Sequence, residues 1–176
     1  MSAKSYSERG FTLDRPDGQQ LAAYHWSGGS NPRAILVVAH GMGEHARRYP
    51  PALEPLLADG IDLYGIDHRG HGGTIALSDR EPGDYGPGGF PAVVDDLLAL
   101  VGRARAENSG LPLFLLGHSM GSFISQAFFV DHWRELDGLV LVGTSALDVV
   151  AAIMMTEPDV GAALNHNFEP ARTPFD

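Results

Sequence analysis

Three short runs in this sequence carry side chains that could do chemistry, and the most pointed is Gly117-His118-Ser119-Met120-Gly121. Small residues on either side of a serine permit a turn so tight that Ser119 takes a strained backbone and its hydroxyl stands clear of the chain. Held in that way, and relieved of its proton by a base, a serine can attack an acyl carbon. A helix starting just after it would add free amide N–H groups and a dipole that favour developing negative charge. The same string also suits a plainer role. Ser119 would then only cap a helix, and Gly117 and Gly121 would only let strand and helix pack closely.

The second run is His40-Gly41-Met42-Gly43-Glu44-His45. Glycine on both sides of Met42 lets the backbone approach a substrate. An oxyanion needs two preorganised donors, and the natural pair is the amide of Met42 with that of Met120, the residue after the serine. His40 fits better as a ring that fixes this loop than as a base, because a base is expected after the nucleophile in chain order. The third run is Asp67-His68-Arg69-Gly70-His71-Gly72-Gly73-Thr74. With His40, Glu44 and His45 it offers metal-ligand types, but no compact ligand spacing such as H-E-x-x-H occurs, so no metal site is assigned. Asp67 and Arg69 are better suited to tying neighbouring loops together, Arg69 through its planar fork of donors.

These runs need elements to hold them. Phe11-Thr12-Leu13 and Leu21 to Trp26 flank Pro16-Asp17-Gly18 and predict an antiparallel hairpin at the N-terminus. Ala34 to Ala39 is continuous and β-branched, as in a strand buried on both faces, and it ends at His40. A short helix is expected over Ala52 to Ala58, after Pro50-Pro51 and before Gly60, and then a strand over Ile61 to Ile66. Gly- and Pro-rich Glu81 to Pro91 reads as a loop. Phe90 to Glu107 is an amphipathic helix with Val93, Leu97 and Val101 on its apolar stripe and Asp95, Asp96, Arg103 and Arg105 away from it. A third buried strand is expected over Leu111 to Leu116, a nearly all-apolar helix over Ser119 to Val130, and a fourth strand over Leu139 to Val142. His25, Trp26, Phe123, Phe128 and Phe129 read as core filling. Alternation of strand and helix indicates a mostly parallel sheet with right-handed crossovers.

Composition bounds the function. The chain has 176 residues, 44% of them hydrophobic, enough for one sizeable core. A net charge of -10, with Lys4 its lone lysine, argues against a nucleic-acid groove, which needs clustered cations. A neutral or weakly polar small substrate is more compatible. Cysteine is absent, so disulfides, thiolate metal sites and a cysteine nucleophile are all excluded. Met1 to Gly10 holds no apolar segment of a secretory leader, and no run of about 18 apolar residues occurs, so the expected location is cytoplasmic, with peripheral membrane contact compatible.

Taken in order, the three runs resemble the monoacylglycerol lipase and lysophospholipase-like α/β-hydrolases, a grouping that shares these motifs with serine aminopeptidases of similar fold. The resemblance extends from about Phe11 to the C-terminus and implies a serine carboxylic-ester hydrolase that needs no metal or organic cofactor. It implies Ser119 as nucleophile and Met42 and Met120 as oxyanion donors, with His40, Gly41, Gly43, Asp67, Arg69, Gly117, His118 and Gly121 supporting the motifs. Thr74 stands where that family usually has serine, and a hydroxyl is kept. The motifs do not separate ester from peptide substrates.

In this fold the triad acid and histidine follow the nucleophile. Downstream stand Asp131, His132, Glu135, Asp137, Asp148, Glu157, Asp159 and His166, none in a convincing setting. Asp131 and His132 would lie about 18 Å along the helix from Ser119, beyond hydrogen-bond reach. Residues 1–143 are therefore expected to form the N-terminal part of the α/β-hydrolase core and 144–176 the start of a cap, with the last strands, the acid and the base lacking. The chain alone is expected to be nearly inactive. Two readings remain beside the ester hydrolase: a non-catalytic acyl-binding or interaction module that self-associates through an uncovered sheet edge, and an aminopeptidase-like hydrolase. Val149 to Met155, apolar and rich in methionine, suits either a buried segment or a soft surface for acyl chains.

Overall fold

A computed structural model describes residues 5–146. The expectations for Val149 to Met155, for Asp148, Glu157, Asp159 and His166, and for nearly all of the cap lie outside the described residues.

The chain begins with the expected hairpin. Strands β1 (Ser7–Asp14) and β2 (Gln20–Ser27) pair antiparallel from Ser7 against Ser27 to Asp14 against Gln20. Next come β3 (Ala34–Ala39) and, after short helices, β4 (Ile61–Ile66), both with the bounds the sequence predicts. Strands β5 (Leu113–His118) and β6 (Gly138–Val142) complete a six-stranded sheet in the order β1-β2-β4-β3-β5-β6. From β4 to β6 the neighbours run parallel, while β2 lies antiparallel to β4. This is the α/β-hydrolase sheet with an antiparallel N-terminal hairpin.

Every residue of β3 is buried, because helices or loops cover both faces of the sheet. Strand periodicity divides it: Ile35, Val37 and Ala39 join the core beneath two long helices, α4 (Gly89–Glu107) and α5 (Met120–His132). Leu36 and Val38 face a second cluster built on Trp26, Leu57 and Leu63. Leu100, Ala104 and Phe128, all fully buried, close the first core.

Five details depart from the sequence expectation. The helix expected over Ala52 to Ala58 is two short ones, α1 (Tyr49–Ala52) and α2 (Glu54–Ala58), broken at Leu53. Pro55 causes the break, since it has no N–H for the Pro51 carbonyl and its ring crowds that carbonyl. Strand β5 begins two residues later than expected and runs on to His118, because Pro112 can accept from Ile35 N–H at 2.9 Å but cannot donate to the ladder. A further short helix, α3 (Gly72–Ile75), closes the third motif, and Phe129, expected in the core, is exposed at the far end of α5 beside Val130.

The fifth departure concerns charge. Asp96, expected to face solvent, is fully buried on α4. Its oxygens receive a bidentate pair from Arg69, Nε at 2.7 Å and Nη2 at 3.0 Å, and a third bond from Arg15 Nε at 2.8 Å. Helical spacing places Asp96 one turn from Val93, on the flank of the stripe, where an apolar residue would ordinarily sit. The guanidinium partners make burial tolerable and fasten the β1–β2 turn and the loop after β4 to α4. Asp96→Ala should therefore lower unfolding stability by roughly 3–5 kcal/mol, since it leaves Arg15 without a carboxylate and the buried Arg69 with only the half-exposed Asp17, whereas the exposed Asp14→Ala should cost under about 0.5 kcal/mol. Urea denaturation of the two variants measures the difference, and equal losses would refute this role.

Candidate active site

Ser119 sits between the last residue of β5 and the first of α5, with φ 51° and ψ -120°. Among the described residues it is the only non-glycine with positive φ, a conformation that costs on the order of 1–3 kcal/mol and persists only where its surroundings impose it. They do so from both sides. Ser119 N–H donates to the Val142 carbonyl of β6 at 2.9 Å, and its own carbonyl accepts from Ser122 N–H at 2.8 Å and Ser122 Oγ at 2.6 Å. The hydroxyl makes no side-chain cap, so the plain capping role is not what this geometry serves. Among the described residues that hydroxyl has no hydrogen-bond partner.

Gly121 explains why the motif needs its second glycine. A Cβ there would lie 2.0 Å from the Ala39 carbonyl oxygen and 2.6 Å from that of His40, so α5 starts directly against the end of β3. Since Ala39 is also paired with Gly117, the loop after β3 is brought beside the serine. A Cβ on Gly41 would fall 3.3 Å from Ser119 Cβ. Met42 follows, its side chain 67% exposed, while the Met120 side chain is buried with its sulfur accepting from Tyr85 OH at 2.8 Å. The backbone N–H groups of Met42 and Met120 have no partner among the described residues.

The supporting residues fall into two groups. In the first, His40 is fully buried; its Nε2 accepts from His68 N–H at 2.9 Å, so Nδ1 carries the proton and donates to the Gly41 carbonyl at 2.8 Å. Burial foremost, then the nearby His71, pushes the His40 imidazole down to about 4, against a bond to Gly41 that works the other way. His40 thus fixes the loop as a neutral ring. Its neighbour His68, 4.3 Å away between ring centroids, is buried, and neither of its ring nitrogens has a protein partner. Burial holds it well below the usual imidazole range.

In the second group, Asp67 accepts from Ala46 N–H at 2.7 Å, Gly73 N–H at 2.7 Å and Tyr24 OH at 2.9 Å, while its carbonyl takes Thr74 Oγ1 at 2.6 Å. Arg69 adds a bond to Asp17 at 2.5 Å to those with Asp96. Both side chains tie loops together, as the sequence suggests. Of the downstream candidates, Asp137 accepts from Leu113 N–H at 2.8 Å at the opposite end of β5, and His132 packs on Phe128 at the far end of α5. Among the described residues no group of three His, Asp or Glu side chains is arranged to hold a metal ion.

Sequence reasoning missed Glu44 and Tyr49. Glu44 Oε1 accepts from Gly41 N–H at 2.5 Å, Tyr49 OH at 2.8 Å and His118 Nδ1 at 2.9 Å, and Oε2 pairs with Arg48 at 3.0 Å. Burial works to raise the Glu44 carboxyl, but the bonds from His118, Tyr49 and Gly41 outweigh it and hold the group below the ordinary value. A carboxylate three residues after a glycine, able to reach back to its N–H, was the available signal.

These histidines have a consequence for stability. His40 and His68 stay neutral in the folded chain but protonate near 6.5 when unfolded, so the unfolded state binds more protons from about pH 6.5 down to about 4. Stability should fall as pH is lowered through that window. Urea midpoints should drop across it, and His68→Phe should flatten the drop; an unchanged slope would refute the assignment.

Comparison with known proteins agrees with this geometry. Residues 30–162 match the family described as serine aminopeptidase, S33. A monoacylglycerol lipase of Mycolicibacterium smegmatis is 34% identical over 134 residues, 74% of this chain and 45% of that protein. The human monoglyceride lipase is 33% identical over 139 residues, 77% of this chain and 43% of its own length. The chain thus spans about half the length of the curated relatives it matches. A thermostable carboxyl esterase from Bacillus coagulans, solved in complex with glycerol, superposes with a TM-score of 0.76 at 27% identity, over 96% of this chain and 60% of that one. With the family match covering most of the chain and the motifs standing at the carboxyl ends of β3, β4 and β5, the protein belongs to the serine aminopeptidase S33 family of α/β-hydrolases.

Proposed function

We propose that this chain is the nucleophile-bearing part of a serine hydrolase of carboxylic esters, of the monoacylglycerol or lysophospholipid type, working through an acyl-enzyme. The observation that carries the reading is the strained Ser119 turn, set against a glycine loop whose Met42 N–H, like that of Met120, is uncommitted among the described residues. Ester rather than peptide chemistry is favoured because the relatives cited are monoacylglycerol lipases and a carboxyl esterase.

In the reaction a base takes the Ser119 proton and the oxygen attacks the ester carbonyl. The amides of Met42 and Met120 then hold the oxyanion. Collapse of the tetrahedral species breaks the bond to the alcohol, which leaves with the proton, and water releases the acid by the reverse sequence. The base and its acid partner belong outside the described residues. On the same reading, residues 144–176 belong to the start of a cap region.

A second reading, self-association, draws on the apolar groups near β6, an edge strand among the described residues: Val140 and Val142 are exposed, as are Phe129 and Trp133 on and just after α5. Concentration-dependent association in light scattering, unaffected by Ser119→Ala, would support it. Among the described residues no helix is long and apolar enough to cross a membrane.

The hydrolase reading is tested with a fluorophosphonate probe and intact mass. The 176-residue chain alone should turn over esters at close to the rate in buffer. Joining it to a downstream region that supplies an acid and a histidine should produce single-site labelling, abolished by Ser119→Ala. Labelling or turnover that survives Ser119→Ala would overturn the assignment.

A further inference from the structure

We propose that Glu44 is a positioning residue for the oxyanion site, its buried Oε1 clamping the Gly41 peptide to His118 and Tyr49 so that the next N–H, that of Met42, keeps its aim. The proposal rests on the reading of Met42 and Ser119 given above.

The loop from His40 to His45 needs such a device. It contains two glycines, one of them, Gly43, in the left-handed region at φ 69°, and its central side chain is exposed, so little packing holds Met42 in place. A donor that samples many directions is a poor oxyanion donor, because the benefit comes from its being oriented before charge develops. The Glu44 side chain, only 7% exposed, supplies the missing constraint. One oxygen receives three donors from three places: Gly41 in the loop, Tyr49 at the start of α1, and His118, the residue bonded to Ser119. The segment bearing the first donor and the segment bearing the nucleophile and the second donor therefore meet at a single atom.

The residue type follows from this task. A carboxylate carries only acceptors, with room for about four bonds over its two oxygens. Here Oε1 takes an amide, a phenol and an imidazole while Oε2 takes the guanidinium of Arg48. Gly41 is the matching half of the clamp. A Cβ on it would sit 2.7 Å from Glu44 Oε1 and 3.1 Å from His118 Nδ1, too close for the carboxylate to reach the amide. A carboxylate so near a developing oxyanion would be unfavourable by itself, and the Arg48 guanidinium on its other oxygen offsets that charge.

The test uses the 176-residue chain labelled with nitrogen-15. In Glu44→Ala the Gly41 amide should exchange at least about 10-fold faster and the heteronuclear NOE of Met42 should fall, while the exchange of β3 amides is unchanged. Glu44→Gln keeps an acceptor at Oε1 and should restore Gly41 protection to within about threefold. In the form completed with an acid and a histidine, Ser119 labelling should slow at least about 10-fold in Glu44→Ala and under about threefold in Glu44→Gln. Unchanged exchange at Gly41 in Glu44→Ala, or labelling unaffected by it, overturns the proposal. If the alanine variant does not fold, Glu44→Gln decides: the Gly41 amide proton should move upfield as its acceptor loses charge, and an unmoved resonance overturns the clamp. Failure of every form to label Ser119 counts against the hydrolase reading, and the Gly41 measurements stand apart from it.

Discussion

Backbone contact between the start of α5 and the end of β3 is the constraint on which the rest of this structure depends. With 2.0 Å between the position of a Cβ on Gly121 and the Ala39 carbonyl oxygen, no side chain fits there, and the helix can rest directly on the strand. That contact forces the chain to turn within one residue between β5 and α5, and Ser119 takes the strained conformation as a result. Strain of this kind needs anchors on both sides. One is the bond from Ser119 N–H to Val142 on β6, and the other is the first turn of α5, where Ser122 bonds the serine's carbonyl. The parallel order of β3, β5 and β6 is thus a requirement of the serine's backbone as well as a way to bury Ile35, Val37 and Leu115.

The second structural theme is how a sheet with both faces covered accommodates polar side chains at its carboxyl edge. Three motif loops meet there, and His40, Asp67, His68 and His71 are buried among them. Burying charge is costly unless it is paired, so each buried carboxylate collects donors. Asp67 takes two amides and a phenol, Asp96 takes two guanidiniums, and Glu44 takes an amide, a phenol, an imidazole and a guanidinium. His40 and His68 follow the other route and remain neutral. The result is a rigid floor beneath a loop that exposes Met42.

Much of this was legible in the sequence, for reasons that also mark the limits. Strands β3 and β4 could be placed to the residue because they are buried on both faces, β3 as an unbroken apolar run and β4 as one interrupted by Asp62. Ser119 and the glycines beside it were legible because only small residues permit the turn. Where the reading failed, tertiary contacts had overridden local pattern. The charge of Asp96 assigns it to solvent although helical spacing sets it on the flank of the apolar stripe, and nothing local reveals that Arg15 and Arg69 arrive from distant loops. Phe129 is apolar but falls on the side of α5 turned from the sheet, next to the buried Phe128. Pro55 is a visible signal that α1 and α2 separate, whereas the single-helix expectation rests on Pro50-Pro51 before the segment and Gly60 after it. Glu44 was weighed only as a metal ligand, since its real partners, His118 and Tyr49, become neighbours only when β3 and β5 pair.

That pairing produces an arrangement easily mistaken for part of a catalytic triad. Glu44 and His118 form a carboxylate–imidazole pair at 2.9 Å, one residue from a strained serine. Two observations separate the pair from an acid and base. The Ser119 hydroxyl is bonded to neither of them among the described residues, and His118 lies at the end of β5, where successive side chains point to opposite faces. Its Nδ1 is also committed to Glu44. Asp67 is no better placed, since its oxygens are occupied by Ala46, Gly73 and Tyr24 and by no histidine. Glu44 and Asp67 are therefore both consumed in holding loops, and the Ser119 hydroxyl is left without a hydrogen-bond partner among the described residues.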